Sequence, residues 1–182
     1  MNAALKAPAQ LSALERHHLK QLVQLHLQRW GRSQALLDGL QPQQPLQQTD
    51  INRLDQQWRA ELDEPRQPLI DSVRQLPAST LLEAIQRQYA PLFNELFLTD
   101  QRGLIAGMSK ITSDYWQGDE AKFNSTRTLK ANQMLIEAIG YDGSTQSFQV
   151  QVSVPLHDPQ GGFLGVLTLG INIEAAFGDS TP

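Results

Sequence analysis

Apolar and polar residues alternate most regularly near the C-terminal end of the chain. Residues 147–154 alternate strictly, and the alternation resumes within residues 161–177, beyond a turn that contains Asp158 and Pro159. A period of two is typical of strands with one buried face, and the turn predicts an antiparallel hairpin. The apolar positions share one face: Phe148, Val150, Val152 and Val154, then Leu167, Leu169, Ile171 and Ile173. We expect Val150, Val152, Leu169 and Ile171 to be buried against helices.

The N-terminal half has a helical period instead. Residues 11–30 predict a long first helix, started by Ser12 or Pro8, with apolar residues three and four positions apart. Its apolar stripe is wider than one docking face uses, which predicts a homodimer through this helix. Shorter helices are predicted at residues 50–62 with Asp50 as the cap, at 69–75, and at 81–89 after Ser79. Residues 41–48 are the predicted connector.

The strands come after these helices. Residues 92–99, 104–109 and 132–141 read as three strands that precede the hairpin. The predicted fold class is α+β, with N-terminal helices packed on a five-stranded antiparallel sheet. We divide the chain into a helical region at residues 1–90, a sheet domain at 91–177 and a polar tail at 178–182.

Composition removes several classes of function. Among the 182 residues the net charge is −4 and no cysteine occurs, which argues against a nucleic-acid-binding face and excludes disulfides and thiolate metal sites. His17, His18 and His26 lack a metal-ligand spacing, and no catalytic or phosphate-binding motif is visible. We therefore expect a protein that is not an enzyme and has no cofactor or metal. Residues 1–10 lack a secretory signal, so the protein is either cytoplasmic or has lost a signal peptide.

Three segments carry a family resemblance. Residues 96–109 (LFLTDQRGLIAGMS), 112–123 (TSDYWQGDEAKF) and 158–177 (DPQGGFLGVLTLGINIEAAF) resemble the single Cache, or PAS-like, extracytoplasmic sensor domains of bacteria. The resemblance implies a long helix behind a five-stranded sheet and, beneath loops on the other face, an amino acid, amine or small carboxylate. It also implies a periplasmic location and a membrane-bound signalling partner. The polar tail favours a free-standing periplasmic protein over an excised ectodomain.

The candidate site lies in the segment between the second and third strands. Residues 112–123 concentrate aromatic and charged groups, and rings with carboxylates suit an amine or amino-acid ligand. The candidate ligand-binding residues are Asp114, Tyr115, Trp116, Gln117, Asp119 and Lys122, with Thr168 and Asn172 as a pocket wall. The alternative is that Tyr115 and Trp116 anchor the loop while the acids face water, with Asp119 and Glu120 starting a short helix at 119–123.

Other polar groups favour simpler interpretations. Gln149, Gln151 and Ser153 fit the solvated face of a sheet, and Arg127 and Lys130 fit surface cations. The favoured function is a sensor domain that binds a small polar molecule and signals its occupancy to a partner. The alternatives are a non-catalytic interaction module with a vestigial pocket and, less favoured, a hydrolase.

Overall fold

The computed structural model describes residues 10–41 and 45–178, which form helices and one sheet. The helices are α1 (Ala13–Trp30), α2 (Gln34–Gly39), α3 (Gln48–Glu61), α4 (Pro68–Arg74), α5 (Pro77–Gln88), α6 (Ala121–Thr126) and α7 (Ile173–Phe177). The strands are β1 (Phe93–Asp100), β2 (Ile105–Met108), β3 (Leu135–Asp142), β4 (Ser147–His157) and β5 (Phe163–Asn172). The predicted fold class is confirmed.

The long first helix begins where the sequence indicates. Ser12 is its N-cap: the Ser12 hydroxyl accepts from the Glu15 amide at 3.2 Å, and the Glu15 carboxylate accepts from the Ser12 amide at 2.6 Å. This reciprocal pair satisfies two amides that the first helical turn leaves without partners. The helix ends at Trp30, as predicted.

The strands form one antiparallel sheet in the order β2-β1-β5-β4-β3. β4 and β5 pair in a register that sets Val150 opposite Ile171 and Val152 opposite Leu169. All four of these side chains are fully buried, as predicted. We call this side of the sheet the core face, and it packs against the following residues of α1 and α5: Leu19, Val23, Leu82 and Ile85. Residues from both predicted parts, 1–90 and 91–177, contribute to this cluster, and the division between the two parts stays a prediction.

The other side of the sheet, which we call the polar face, has a smaller apolar cover at one end. Trp58 of α3 and Ile70 and Val73 of α4 pack there against Phe97 of β1 and the β2 residues Ile105 and Met108. The middle of the polar face is left to the segment between β2 and β3. Two different covers therefore meet the two faces of the same strands.

The hairpin differs from its prediction at three positions. Ile173 does not continue the strand, because the Asn172 side chain accepts from the Ala175 amide at 3.1 Å and starts α7 at Ile173, although Ile173 still packs, partly buried, against the core cluster. Phe148 is 38% exposed and packs edge-to-face on Tyr141. β4 also runs past Val154, through a proline at 155, to His157.

The helix predictions also need corrections. α2 was not expected. The N-cap of α3 is Gln47, so Asp50 lies in the first turn instead of at the cap. α5 begins at Pro77, where proline is well tolerated, so Ser79 lies inside the helix; there its hydroxyl bonds the Val73 carbonyl at 2.6 Å. Part of the connector (residues 42–44), Pro8 and most of the predicted tail (179–182) lie outside the described residues.

Candidate functional site

The segment between β2 and β3 carries the short helix α6 onto the polar face. The helix predicted at residues 119–123 is present but shifted: Glu120 is its N-cap, and Asp119 precedes it with an exposed side chain. α6 buries Phe123 and Thr126 beneath it. The sequence thus located the segment correctly and missed the helix start by two residues.

A small cavity lies between α6 and the sheet. Its volume of about 10 Å³ is space for roughly one water molecule. It is lined by Phe97, Thr99, Gln117, Lys122, Phe123, Ser153, Val166 and Thr168. Three of the predicted site residues, Gln117, Lys122 and Thr168, therefore come together here from different parts of the chain.

The hydroxyl groups in this cavity bond to neighbours within the protein. Ser153 and Thr168 lie opposite each other on β4 and β5, and their side-chain oxygens are 2.9 Å apart. The Thr99 hydroxyl donates to the Val166 carbonyl at 3.3 Å. All three residues are buried, so the polar face is polar even where water does not reach it.

Lys122 connects α6 to a network of side chains on the polar face. Its ammonium nitrogen donates to Gln151 Oε1 at 2.9 Å, lies 3.4 Å from Glu120 Oε2, and sits 5.5 Å from the centre of the Phe97 ring. The amide groups of Gln151 and Gln149 donate in turn to Glu95 Oε1 at 2.9 and 3.2 Å. We call these four residues, Lys122, Gln151, Glu95 and Gln149, the polar network.

Sequence reasoning assigned the two glutamines to solvent and overlooked Glu95. The position of Glu95, two residues before Phe97 on the same strand, places both side chains on one face. That parity was the available signal, but pairing β1 with β5 joins residues about 70 positions apart. The apolar pattern of β1 did not indicate this neighbour.

Glu137 of β3 adds a third carboxylate to this region. Burial raises the pKa of Glu137, the nearby Lys122 ammonium lowers it, and the Glu120 carboxylate raises it. Glu137 also lines an open groove of about 310 Å³ together with Tyr141, Gln149 and Gln151. The surroundings of Lys122 therefore hold more negative than positive charge.

The aromatic part of the predicted site is held by α3. Asp55 Oδ1 accepts from the backbone amides of Tyr115 and Trp116, both at 2.9 Å. The Tyr115 ring stacks on Trp58 with centres 5.3 Å apart, and the Trp116 indole donates to the Arg102 carbonyl at 2.9 Å. These contacts give both rings an anchoring role, which was the alternative interpretation; whether they also contact a ligand stays a prediction.

Asp114 and Asn172 occupy different surroundings from the cavity residues. The Asp114 carboxylate accepts from the Gln117 amide and lies 3.6 Å from the Arg59 guanidinium. Burial raises the pKa of Asp114; Glu120 acts in the same direction and Arg59 opposes it. Asp114 therefore adjoins the cavity through Gln117, whereas Asn172 caps α7.

Neither the protein-family models nor the curated proteins include a match to this chain. Among solved structures, one similar fold is the extracellular domain of an assigned histidine kinase, vpHK1S-Z8, with 14% identity and a TM-score of 0.51 over 87% of this chain and 53% of that chain. Another is a domain assigned to a sensory box/GGDEF family protein of Vibrio parahaemolyticus, with 13% identity and a TM-score of 0.50 over 87% of this chain and 56% of that chain. The chain shares the fold of these two structures, which is Cache/PAS-like.

This chain spans little more than half the length of those two sensor structures. Within its own Cache-like fold, the polar network and the cavity lie on the face opposite α1. That is the face on which the resemblance places the ligand. In residues 10–41 and 45–178, His, Asp and Glu form no group of three that could hold a metal ion. None of the helices in those residues combines the length and apolarity that crossing a membrane requires.

Proposed function

We propose that this chain is a non-catalytic sensor domain that binds a small polar molecule between α6 and the polar face of the sheet. The observation that carries the proposal is the convergence of buried polar side chains beneath a short helix: Thr99, Gln117, Ser153 and Thr168, beside Lys122. Burying polar groups costs free energy unless they are paired, and an apolar filling would stabilise the fold at least as well.

The charges around Lys122 favour a ligand that carries an ammonium group. Glu95, Glu120 and Glu137 supply three carboxylates against one lysine. A free amine would pair with the carboxylates, and an amino acid would also offer its own carboxylate to Lys122. Amino acids and amines are therefore preferred over the small carboxylates that the sequence left open.

Binding requires α6 to move, because the cavity of about 10 Å³ is too small for such a ligand. Lys122 is the side chain that ties α6 to β4, through Gln151. A ligand that takes over the bonds of Lys122 would release α6 and favour an open state. Asp114, Tyr115, Trp116 and Asp119 would then move with the same segment.

The signal would pass to a partner outside the cytoplasm. We propose a periplasmic domain that forms a homodimer through α1 and acts on a membrane-bound signalling protein. Leu14 and Leu25 support the dimer, since they lie eleven residues apart on one helix, about three turns, and are 78% and 47% exposed. The sensor structures support only the fold in this argument.

One observation favours a second candidate, the interaction module with a vestigial pocket. The polar groups of the cavity already bond to one another, as Ser153 and Thr168 do at 2.9 Å, and little space remains. A protein that only docks partners through α1 would show the same filled interior.

A thermal-shift screen with amino acids, polyamines and small carboxylic acids separates the two candidates. A sensor gains about 2.7 kcal/mol of stability when a ligand is present at a hundred times its Kd. In calorimetry with a hit compound that carries a carboxylate for Lys122, such as an amino acid, Lys122→Met should weaken binding by roughly ten- to a hundredfold, the value of a charge-assisted hydrogen bond.

Lys130→Met is the matched control, because Lys130 is an exposed lysine in the same segment. It should retain the wild-type affinity. If no compound in the screen stabilises the protein, the sensor proposal fails and the interaction module is favoured. Wild-type affinity in Lys122→Met would leave a sensor whose site is elsewhere.

A further inference from the structure

A much larger cavity lies beside the edge strand β2, away from α6. It opens to solvent on one side, and its volume of about 470 Å³ is within the range of small-molecule sites. We call it the edge cavity, and we propose that it binds a small neutral molecule with an apolar body and one hydrogen-bonding group, such as a ring-bearing alcohol. This site is separate from the one proposed above and does not depend on it.

The walls of the edge cavity are mostly apolar. They come from α2, α4, α5, β2 and the turn between β1 and β2, and their apolar residues include Val73, Leu76, Ala78, Leu104, Ile105 and Ala106. Ala78 and Ala106 belong to the apolar cluster of the core face, and Val73 and Ile105 belong to that of the polar face, so the cavity lies where the covers of the two faces meet at the sheet edge. Such walls favour a ligand with an apolar body because burying apolar surface supplies the binding free energy.

The polar groups at one end are already neutralised. The Arg102 guanidinium donates to Asp100 Oδ2 at 3.1 and 2.8 Å, and Asp100 Oδ1 accepts from the amides of Arg102 and Leu104. On the exposed rim, Asp38 accepts from Gln34 at 2.7 Å and keeps its negative charge, but a carboxylate in water adds little to the binding of a cation. A charged ligand would therefore lose hydration inside the cavity without gaining a buried opposite charge, so the structure favours a neutral one.

Tyr115 supplies a hydrogen-bonding group in the wall. Its ring is held by Trp58, and its phenol borders the edge cavity near Asp100. Burial raises the pKa of Tyr115 and Asp100 raises it further, with Arg102 opposing, so the hydroxyl stays protonated. The hydroxyl group of a neutral ligand can pair with it.

An occupant would be close to the proposed sensor site. Tyr115 lines the edge cavity, while Gln117 lines the small cavity under α6. The segment between them is fixed to the β1–β2 turn, with the Ile105 amide 3.0 Å from the Tyr115 carbonyl and the Gln117 amide 2.8 Å from that of Gly103. Trp116 lies in this segment, so its fluorescence should change if the segment moves.

The test is an NMR titration of the ¹⁵N-labelled full chain with benzyl alcohol. Saturable shifts are expected at the amides of Ala78, Leu104, Ala106 and Tyr115 below about 10 mM. Benzylamine and benzoate have the same ring with a charge, and should bind at least about tenfold more weakly. No saturable shift, shifts confined to other regions, or equal binding of a charged analogue would overturn the proposal.

Filling the edge cavity gives an independent check. Ala35 of α2 lines it and is half-buried, so Ala35→Trp should abolish benzyl alcohol binding without lowering Tm. Ala84→Trp is the matched control, on an exposed position of α5, and should bind like wild type. Ser72→Phe fills the cavity from α4 and replaces Ala35→Trp if that variant does not fold. Unchanged binding in a folded filling variant would overturn the proposal. Neither readout involves the amino-acid and amine screen, so the two proposals can fail separately.

Discussion

The core face and the polar face of the sheet belong to the same strands but have different roles. Along β4, Val150 and Val152 point into the core, while Gln151 and Ser153, one residue further on, point the other way. The core face is closed by α1 and α5, and the polar face by α6 and by α3 with α4. Parity along a strand therefore separates the residues that hold the fold from those available for binding.

The energies of the two faces differ as their chemistry does. Each fully buried valine, leucine or isoleucine contributes about 1.5–3 kcal/mol to stability. A hydrogen bond on the polar face contributes only about 0.5–1.5 kcal/mol net, because water competes for the same groups in the unfolded chain. Rearranging the polar face therefore costs less free energy than rearranging the core face.

The largest expected effect comes from a charge on the core face. Val152→Asp buries a carboxylate among Leu169 and its neighbours without a partner, so unfolding free energy should fall by several kcal/mol. Urea unfolding followed by circular dichroism measures the loss.

Phe148→Asp is the control for this prediction. Phe148 has the same parity on β4 but is 38% exposed, so the same charge should cost about 1 kcal/mol or less there. Equal losses of unfolding free energy in the two variants would show that the core face extends to Phe148, beyond the helices that cover it.

The core face could be predicted from the sequence because its signal is local. Val150, Val152, Leu169 and Ile171 follow a period of two inside one hairpin, and the register follows from the turn. The polar face depends on distant partners: Asp55 meets residues 115 and 116, and Glu95 meets Gln149 and Gln151. No periodicity encodes such contacts, since each is set by how the whole chain folds.

Asp55 also explains why the anchoring of the aromatic cluster could not be predicted. Tyr115 and Trp116 attract attention as ring-bearing loop residues, and the sequence does not reveal that a carboxylate 60 residues earlier holds their backbone. Asn172 starts α7 for a local reason, because a side chain that could line a pocket wall also makes a good helix cap, and its place in the pocket wall stays a prediction.

A smaller effect is expected from removing the anchor of the polar-face segment. Asp55→Ala leaves the amides of Tyr115 and Trp116 without their acceptor, which should cost about 1–3 kcal/mol. Hydrogen exchange of these two amides should accelerate, while exchange at the amides of Val152 and Leu169 on the buried strands β4 and β5 should change less.

Asp63→Ala serves as the comparison, because Asp63 is an exposed carboxylate just after α3. It should change neither stability nor exchange. If Asp55→Ala instead accelerated exchange evenly over both faces, the segment would not be a separate unit, and the contrast between the faces would lose its energetic basis.

Two titratable groups, one on each face, should make the stability of the two faces depend on pH in different ways. His26 of α1 lies on the core side, with its ring edge-to-face with Tyr89 and Phe93 at 4.5 and 5.0 Å. Burial lowers the pKa of His26, and the nearby Arg29 lowers it further. Glu137 lies on the polar side, and burial raises its pKa. The two groups therefore favour opposite protonation states in the folded protein.

The smallest expected effect is the contribution of these two groups to the pH dependence of the unfolding free energy. The two contributions have opposite signs. The folded state binds a proton at His26 less tightly than the unfolded state, so the stability due to neutral His26 is lost as pH falls below its ordinary pKa of about 6.5. The folded state binds a proton at Glu137 more tightly, so that contribution is present at acid pH and is lost as pH rises above the ordinary Glu pKa of 4.5.

Between about pH 7 and pH 5, His26→Phe should therefore lose less unfolding free energy than wild type, and Glu137→Gln should lose more. Urea titrations at each pH measure both, with His17→Phe, an exposed histidine of the same helix, as the variant that should follow wild type. If the profiles of His26→Phe and Glu137→Gln ran parallel to wild type, burial on the two faces would not be perturbing these groups in opposite directions.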